Sequence, residues 1–197
     1  MRLDKFLADM GLGSRKEVKG LIKKGTIEVN GQVVKSDKAQ VNEFEDTVTY
    51  LGEIIAYQKD FYYILHKPAG VISATQDNHD QTVIDLLEDQ DYREDLFPVG
   101  RLDKDTEGLL ILTNDGVFAH QLLSPKKHVE KEYLAEVNGI MTEEDIRLFA
   151  EGLIIDGDEQ TLPAKLQIDQ VDQESETSII RLILHEGKFH QVKRMVK

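Results

Sequence analysis

Apolar runs in this chain are only a few residues long, as at Leu109–Leu112 and Ile179–Ile180. A bilayer-spanning helix needs roughly 20 consecutive apolar residues, so no segment reads as a membrane helix and the core must be assembled from short elements. With 197 residues, 40% hydrophobic and 31% charged, the chain has the balance of a folded soluble protein with one substantial core and a small extra module. The start, Met1-Arg2-Leu3-Asp4, has no apolar signal core, so a cytoplasmic protein is expected. Cysteine is absent, which excludes disulfides, thiolate zinc sites and cysteine nucleophiles.

The net charge of −13 argues, as an average, against a polyanionic partner. The average is misleading. Residues 1–38 hold nine basic residues (Arg2, Lys5, Arg15, Lys16, Lys19, Lys23, Lys24, Lys35 and Lys38) against five acids, a net +4, which leaves −17 for the remainder. A charge split of this kind points to a separate binding module, although a run such as Lys23-Lys24 alone reads as a solvated helix face.

The basic segment has a readable local order. Leu3, Phe6, Leu7 and Met10 follow helical spacing. Ser14 and Glu17 form a capping box at the start of a second helix, with Val18, Leu21 and Ile22 as its apolar stripe and Gly25 as its stop. Thr26 to Val29 and Gln32 to Val34 flank Asn30-Gly31, the sequence of a tight hairpin turn. Together, Leu3-Asp4-Lys5-Phe6-Leu7, Ser14-Arg15-Lys16, Ile22-Lys23-Lys24-Gly25 and Val29-Asn30-Gly31 resemble the S-four-type (alpha-L) RNA-binding domain over about residues 1–50. The resemblance implies that Arg2, Lys5, Arg15, Lys16, Lys19, Lys23 and Lys24 contact RNA, mainly through phosphates.

The acids Glu43, Glu45 and Asp46 mark an exposed turn, and the boundary falls near Lys59, giving domains 1–58 and 59–197. Beyond it, strands are expected at Phe61–Leu65, Val71–Ser73, Leu109–Thr113, Tyr133–Val137 and Thr177–Leu184. Helices are expected at Val83–Leu87, Val117–Leu123, Thr142 to about Ala150, and from about Phe189. These do not alternate as β-α-β units, so the fold class is α+β, with a mixed, mainly antiparallel sheet flanked by helices.

The most distinctive run is Gly100-Arg101-Leu102-Asp103-Lys104-Asp105-Thr106-Glu107-Gly108-Leu109. As a calcium loop it fails, because Asn114 stands where the bidentate carboxylate belongs. Taken alone, it reads as an acidic turn before a strand. Gly-Arg-Leu-Asp-x-x-Thr-x-Gly-Leu, however, strongly resembles the hallmark of the pseudouridine synthases that act on ribosomal RNA. His66-Lys67-Pro68-Ala69-Gly70 is similar to that family's first motif. Ser124-Pro125, Lys131 and Tyr133 resemble the segment with its active-site tyrosine, and Glu186 to Met195 resembles its third motif. All four occur in the family's order, and the resemblance covers essentially the whole chain.

That resemblance implies isomerisation of uridine to pseudouridine with no cofactor and no metal. Asp103 would be the carboxylate attacking or assisting at the ribose anomeric carbon, with Arg101 and Lys193 as basic partners that keep it ionised. Tyr133 would stack on the target base and move a proton, and Val192, His190, Gln191 and Leu102 would line the substrate pocket. The target nucleotide would leave its stack to enter that pocket. His66, His79, His120, His128 and His185 lack metal-ligand spacing, and Asp105 and Glu107 read as solvated turn acids. The third motif, with Phe189-His190 rather than Asn-Arg, resembles the branch acting on small-subunit (16S) rRNA, so ribosomal RNA or a partly assembled small subunit is the expected partner of a monomer. The alternatives are a large-subunit enzyme and a non-catalytic RNA-binding or ribosome-assembly protein. Relatives continue through a longer helix and a further strand, so a catalytic domain stopping at Lys197 would lack the usual C-terminal tail.

Overall fold

The computed structural model describes residues 1–127 and 129–197; His128, named above, lies outside the described residues. Contacts divide the chain into two units, Met1–Tyr63 with Leu87–Leu96, and Ile64–Leu86 with Phe97–Lys197. No helix among the described residues is long and apolar enough to cross a membrane.

In the first unit, α1 (Leu3–Asp9) and α2 (Arg15–Lys23) lie against a four-stranded sheet. Its strands β1 (Ile27–Val29), β2 (Gln32–Val33), β3 (Val48–Tyr50) and β4 (Glu53–Ile55) run in the order β2-β1-β3-β4. The capping box forms as the sequence requires: the Ser14 hydroxyl accepts from the Glu17 N–H, and the Glu17 carboxylate accepts from the Ser14 N–H at 2.8 Å. Leu3, Phe6, Leu7, Val18, Ile22, Ile27, Val41 and Val48 make one buried cluster. Asn30 and Gly31 both have positive φ, 52° and 77°, which closes the β1–β2 hairpin in two residues. Residues 87–96 join this unit because Arg93 donates to the Asp9 carbonyl at 2.8 Å and lies 3.9 Å over the Phe61 ring.

Asp4 is almost fully buried in this unit, and Arg2 grips both of its oxygens, at 3.0 and 2.7 Å. Lys19 of α2 stands 4.0 Å from Asp4 and 3.5 Å from Asp37. These pairs tie the start of α1 to α2. Burial on its own would raise the Asp4 pKa, but the Arg2 hydrogen bonds and charge outweigh it and hold the carboxyl below its ordinary value.

The second unit holds β5 (Tyr62–Lys67) from Ile64 onward, β6 (Phe97–Pro98), β7 (Gly108–Thr113), α3 (Gly116–Leu123), β8 (Lys131–Asn138) and α4 (Glu143–Glu151). It continues through β9 (Ile154–Ile155), β10 (Glu159–Gln160), β11 (Lys165–Asp172), β12 (Thr177–Leu184) and α5 (Gln191–Met195). The class is α+β, with sheets β5-β7-β6, β9-β10 and β11-β12-β8. The pairs β6–β7, β9–β10, β11–β12 and β12–β8 are all antiparallel. Central strand β12 buries Ser178, Ile180, Leu182 and Leu184 on one face, the period of two that a half-buried strand requires. Ile180, Leu182 and Leu184 meet Val137, Phe149, Ile155, Ala164, Leu166 and Met195 in one core.

Three expectations need correction. The stretch Val71–Ser73 forms no strand; only Ile72 bridges, to Thr82 and in parallel. The segment Val83–Leu87 gives a single 3-10 turn, Ile84–Leu86. The last helix begins at Gln191 rather than Phe189, because His190 takes left-handed backbone geometry ahead of it. Strand β11 was not expected. Its polar composition hides it, and a bulge between Ile168 and Gln170 breaks the alternation of Leu166, Ile168 and Val171.

Gly152 ends α4 with φ 88°, and a Cβ there would sit 2.7 Å from the Thr161 carbonyl oxygen. Gly157 has a similar φ of 94° but open space around it. Gly157→Ala is therefore expected to cost about 1–3 kcal/mol of backbone strain, and Gly152→Ala distinctly more; comparing their denaturant midpoints checks this. Because the folded-state pKa of Asp4 is depressed, its contribution is present above the ordinary carboxylate value of 3.8 and is lost as pH falls through the folded value. Asp4→Asn should thus be less stable than the parent at neutral pH, and the gap should close on acidification below about pH 4, read from urea unfolding across pH.

Candidate active site

The run from Gly100 to Glu107 connects β6 to β7, where Phe97 pairs with Thr113 and Pro98 with Leu112. Outside that ladder the loop's backbone groups need other partners, and backbone and side-chain groups from residues 67–73 supply them. The Ser73 hydroxyl donates to the Leu102 carbonyl at 2.9 Å and accepts from the Leu102 N–H at 3.0 Å. The Gly70 N–H reaches the Lys104 carbonyl at 2.7 Å. Both residues flanking Asp103 are therefore fixed by their backbones.

Beneath the loop lies Lys67, whose side chain is fully buried. Its ammonium donates to the carbonyls of Pro68 (3.0 Å), Lys104 (3.3 Å) and Thr106 (2.9 Å). Burial pulls its pKa down, and the charges of Asp105, Asp103 and Glu107 pull the other way. Neither Lys67, which lies within a motif, nor Ser73 stands out in the sequence as a site residue. A lysine in a strand-to-loop segment otherwise reads as solvated, and only the loop's folding back over it reveals its partners.

Asp103, about a quarter exposed, has its Oδ2 3.3 Å from the Lys193 ammonium and its Oδ1 3.5 Å from the His190 Nε2. Lys193 also meets Asp105, at 2.5 Å. Asp105 is thus more than the solvated turn acid expected: its hydrogen bond to Lys193 lowers its own pKa and is the largest cause of the upward shift at Lys193. Glu107 is exposed, as expected for a turn acid.

Tyr133, on β8 opposite Leu182, is half-buried. Burial first, and the Asp103 charge second, push its phenol above the ordinary value. At neutral pH it is therefore a neutral ring carrying a hydrogen-bond donor.

The structure does not gather every expected residue. Arg101 is exposed and, among the described residues, makes no ion pair with Asp103. Gln191 is buried, with its amide turned into the bend below α5: its oxygen accepts from the Lys188 N–H (2.8 Å) and its nitrogen donates to Glu186 (2.7 Å). Val192 packs half-buried against the β12 core, and Leu102 is half-buried beside Asp103. Among the described residues no group of three or more His, Asp or Glu could hold a metal ion.

A carboxylate beside a lysine, with a neutral tyrosine nearby, suits attack on or charge stabilisation at an electrophilic carbon. Residues 61–197 match the family model for RNA pseudouridylate synthase, and residues 1–48 match the S4 domain. An uncharacterized RNA pseudouridine synthase, YtzG, of Bacillus subtilis is 48% identical over 100% of this chain and 82% of its own. The ribosomal large subunit pseudouridine synthase B of the same organism is 40% identical over 98% of this chain and 78% of its own. The ribosomal small subunit pseudouridine synthase A of Vibrio cholerae is 39% identical over 99% and 81%. A solved pseudouridylate synthase superposes with a TM-score of 0.61 at 34% identity, over 99% of this chain and 81% of that one. The chain belongs to the RNA pseudouridylate synthase family and is an RNA pseudouridine synthase with an S4 RNA-binding domain at its N-terminus.

Proposed function

We propose that this protein isomerises a uridine of small-subunit (16S) ribosomal RNA to pseudouridine, as a cytoplasmic monomer, on free RNA or a partly assembled subunit. Residues 1–58 hold the RNA and residues 59–197 perform the chemistry. The observation that carries the chemical reading is the contact of Asp103 with Lys193 at 3.3 Å on a loop anchored at both neighbours of the aspartate. The third motif, Phe189-His190-Gln191-Val192-Lys193-Arg194-Met195, supports the small-subunit target. Overall identity, 40% to a large-subunit and 39% to a small-subunit relative, favours neither.

The reaction breaks the bond from ribose C1′ to the base nitrogen and forms one from C1′ to base C5, after which C5 gives up its hydrogen as a proton and the freed base nitrogen takes up a proton from solvent. No electrons are gained or lost. Asp103 acts at C1′, where positive character develops as the base departs, and Lys193 stands 3.3 Å from its carboxylate as a cationic partner. Tyr133 packs on the uracil. As a neutral phenol it cannot take the C5 proton without first losing its own, so that proton goes to Asp103, once released from C1′, or to water. Arg101 is left to meet the substrate rather than the aspartate.

Along α2 and at its C-cap, Arg15, Lys16, Lys23 and Lys24 are exposed and, among the described residues, form no ion pair. Arg2 and Lys19 are instead shared with Asp4 and Asp37. The α2 cations and Lys5 are therefore the groups best placed for phosphate.

Because C5 loses its hydrogen, transcripts made with [5-³H]uridine report the reaction as tritium in water. Wild type is expected to release tritium from 16S transcript or precursor small-subunit particles, with pseudouridine mapping to one site, and Asp103→Ala to release none above background. Equal release by the two proteins would end the catalytic assignment, and release from 23S transcript alone would move the target to the large subunit. Arg15→Glu with Lys16→Glu places acids in the first turn of α2, where the helix dipole favours them, so folding should be kept. Filter binding to 16S transcript across salt should show weaker affinity and a log–log salt slope shallower by about two.

A further inference from the structure

We propose that Phe189, stacked on His190, is a platform for a nucleobase neighbouring the target uridine, a reading that rests on Asp103 being the reacting carboxylate. The Phe189 ring is 73% exposed. It lies face to face with the His190 imidazole, centroids 3.8 Å apart and planes 19° from parallel. The other edge of that imidazole is 3.5 Å from Asp103. Two stacked rings therefore lead outward from the carboxylate to solvent.

The pair is held by its surroundings. His190 occupies left-handed backbone geometry, φ 46° and ψ 39°, which a residue with a Cβ keeps only where its neighbours enforce it. The enforcement is visible. Gln191, buried, binds the Lys188 N–H and Glu186; Arg194 donates to the Phe189 carbonyl at 3.0 Å; Met195 anchors α5 in the core. A single exposed phenylalanine needs no explanation. One fixed in a stack by a strained turn, beside the reacting group, presents an open π-face of the kind on which a base of single-stranded RNA stacks. When the target uridine leaves its stack, a neighbouring base loses a partner, and the Phe189 ring replaces it.

The test is single-turnover tritium release from [5-³H]uridine-labelled 16S and 23S transcripts at varied enzyme concentration. Phe189→Ala should raise the half-saturating concentration roughly ten-fold or more, with the maximal rate within about three-fold of wild type. Phe189→Trp should restore the wild-type value. Phe189→Leu, which keeps apolar bulk without a π-face, should behave like Phe189→Ala. If Phe189→Leu matches wild type, or Phe189→Ala lies within about two-fold of it, the platform is overturned while the catalytic reading stands. If wild type releases no tritium from either transcript or from precursor small-subunit particles, the catalytic reading falls and takes the platform with it.

Discussion

A buried lysine underlies the site. Taking an ammonium out of water costs several kcal/mol unless its protons are shared and its charge is answered. Lys67 meets both conditions only because the loop after β6 folds across it, offering the Lys104 and Thr106 carbonyls and the nearby charges of Asp105, Asp103 and Glu107. Those acids, close together on one short loop, would otherwise repel one another. Lys67 from below and Lys193 from α5 divide the repulsion between two cations, which lets an acidic loop stay ordered around Asp103.

The position of Lys193 depends in turn on the hydrophobic core. A helix of five residues has no independent stability. α5 persists because Met195 and half-buried Val192 pack into the cluster built by β12, while buried Gln191 ties its first turn to residues 186–188. Lys193 falls between those inward positions and so points to the loop. Core packing on β12 and charge pairing at Asp103 are two ends of one short lever, and a void beneath Met195 would be felt as a misplaced ammonium.

Much of this was legible in the sequence where the signal is local. The capping box at Ser14 and Glu17, the Asn30-Gly31 hairpin and the alternation along Thr177–Leu184 each act over a few residues, and each is seen as expected. Partnerships across the chain were not legible. Strand β11 exists because β12 pairs with it, not because of its own polar, bulged pattern. Ser73 looked like a strand residue, yet it acts as a two-point clamp on Leu102. Arg101 and Lys193 were equal candidates to neutralise Asp103 by residue type, and only the placement of α5 separates them. Asp105 likewise looked like a solvated acid because sharing a cation leaves no trace in spacing.

The same distinction decides where a polyanion can bind, and net charge by unit is too blunt a guide. In the second unit many cations are already answered: Lys193 by Asp103 and Asp105, Arg181 by Glu132 and Asp169, Arg194 by Asp156 and Glu159, Lys104 by Asp80. A phosphate approaching these must displace a carboxylate, so little net attraction remains. Along α2 the cations at 15, 16, 23 and 24 have no such competitor among the described residues, while Asp4 and Asp37 absorb Arg2 and Lys19. RNA affinity therefore follows the unanswered charges rather than the total of −13. The acidic coat on the second unit adds repulsion that screening weakens, so raising salt weakens the grip of α2 while also relieving that repulsion. The measured salt slope of the whole protein will then be shallower than a count of the α2 phosphate contacts alone would give.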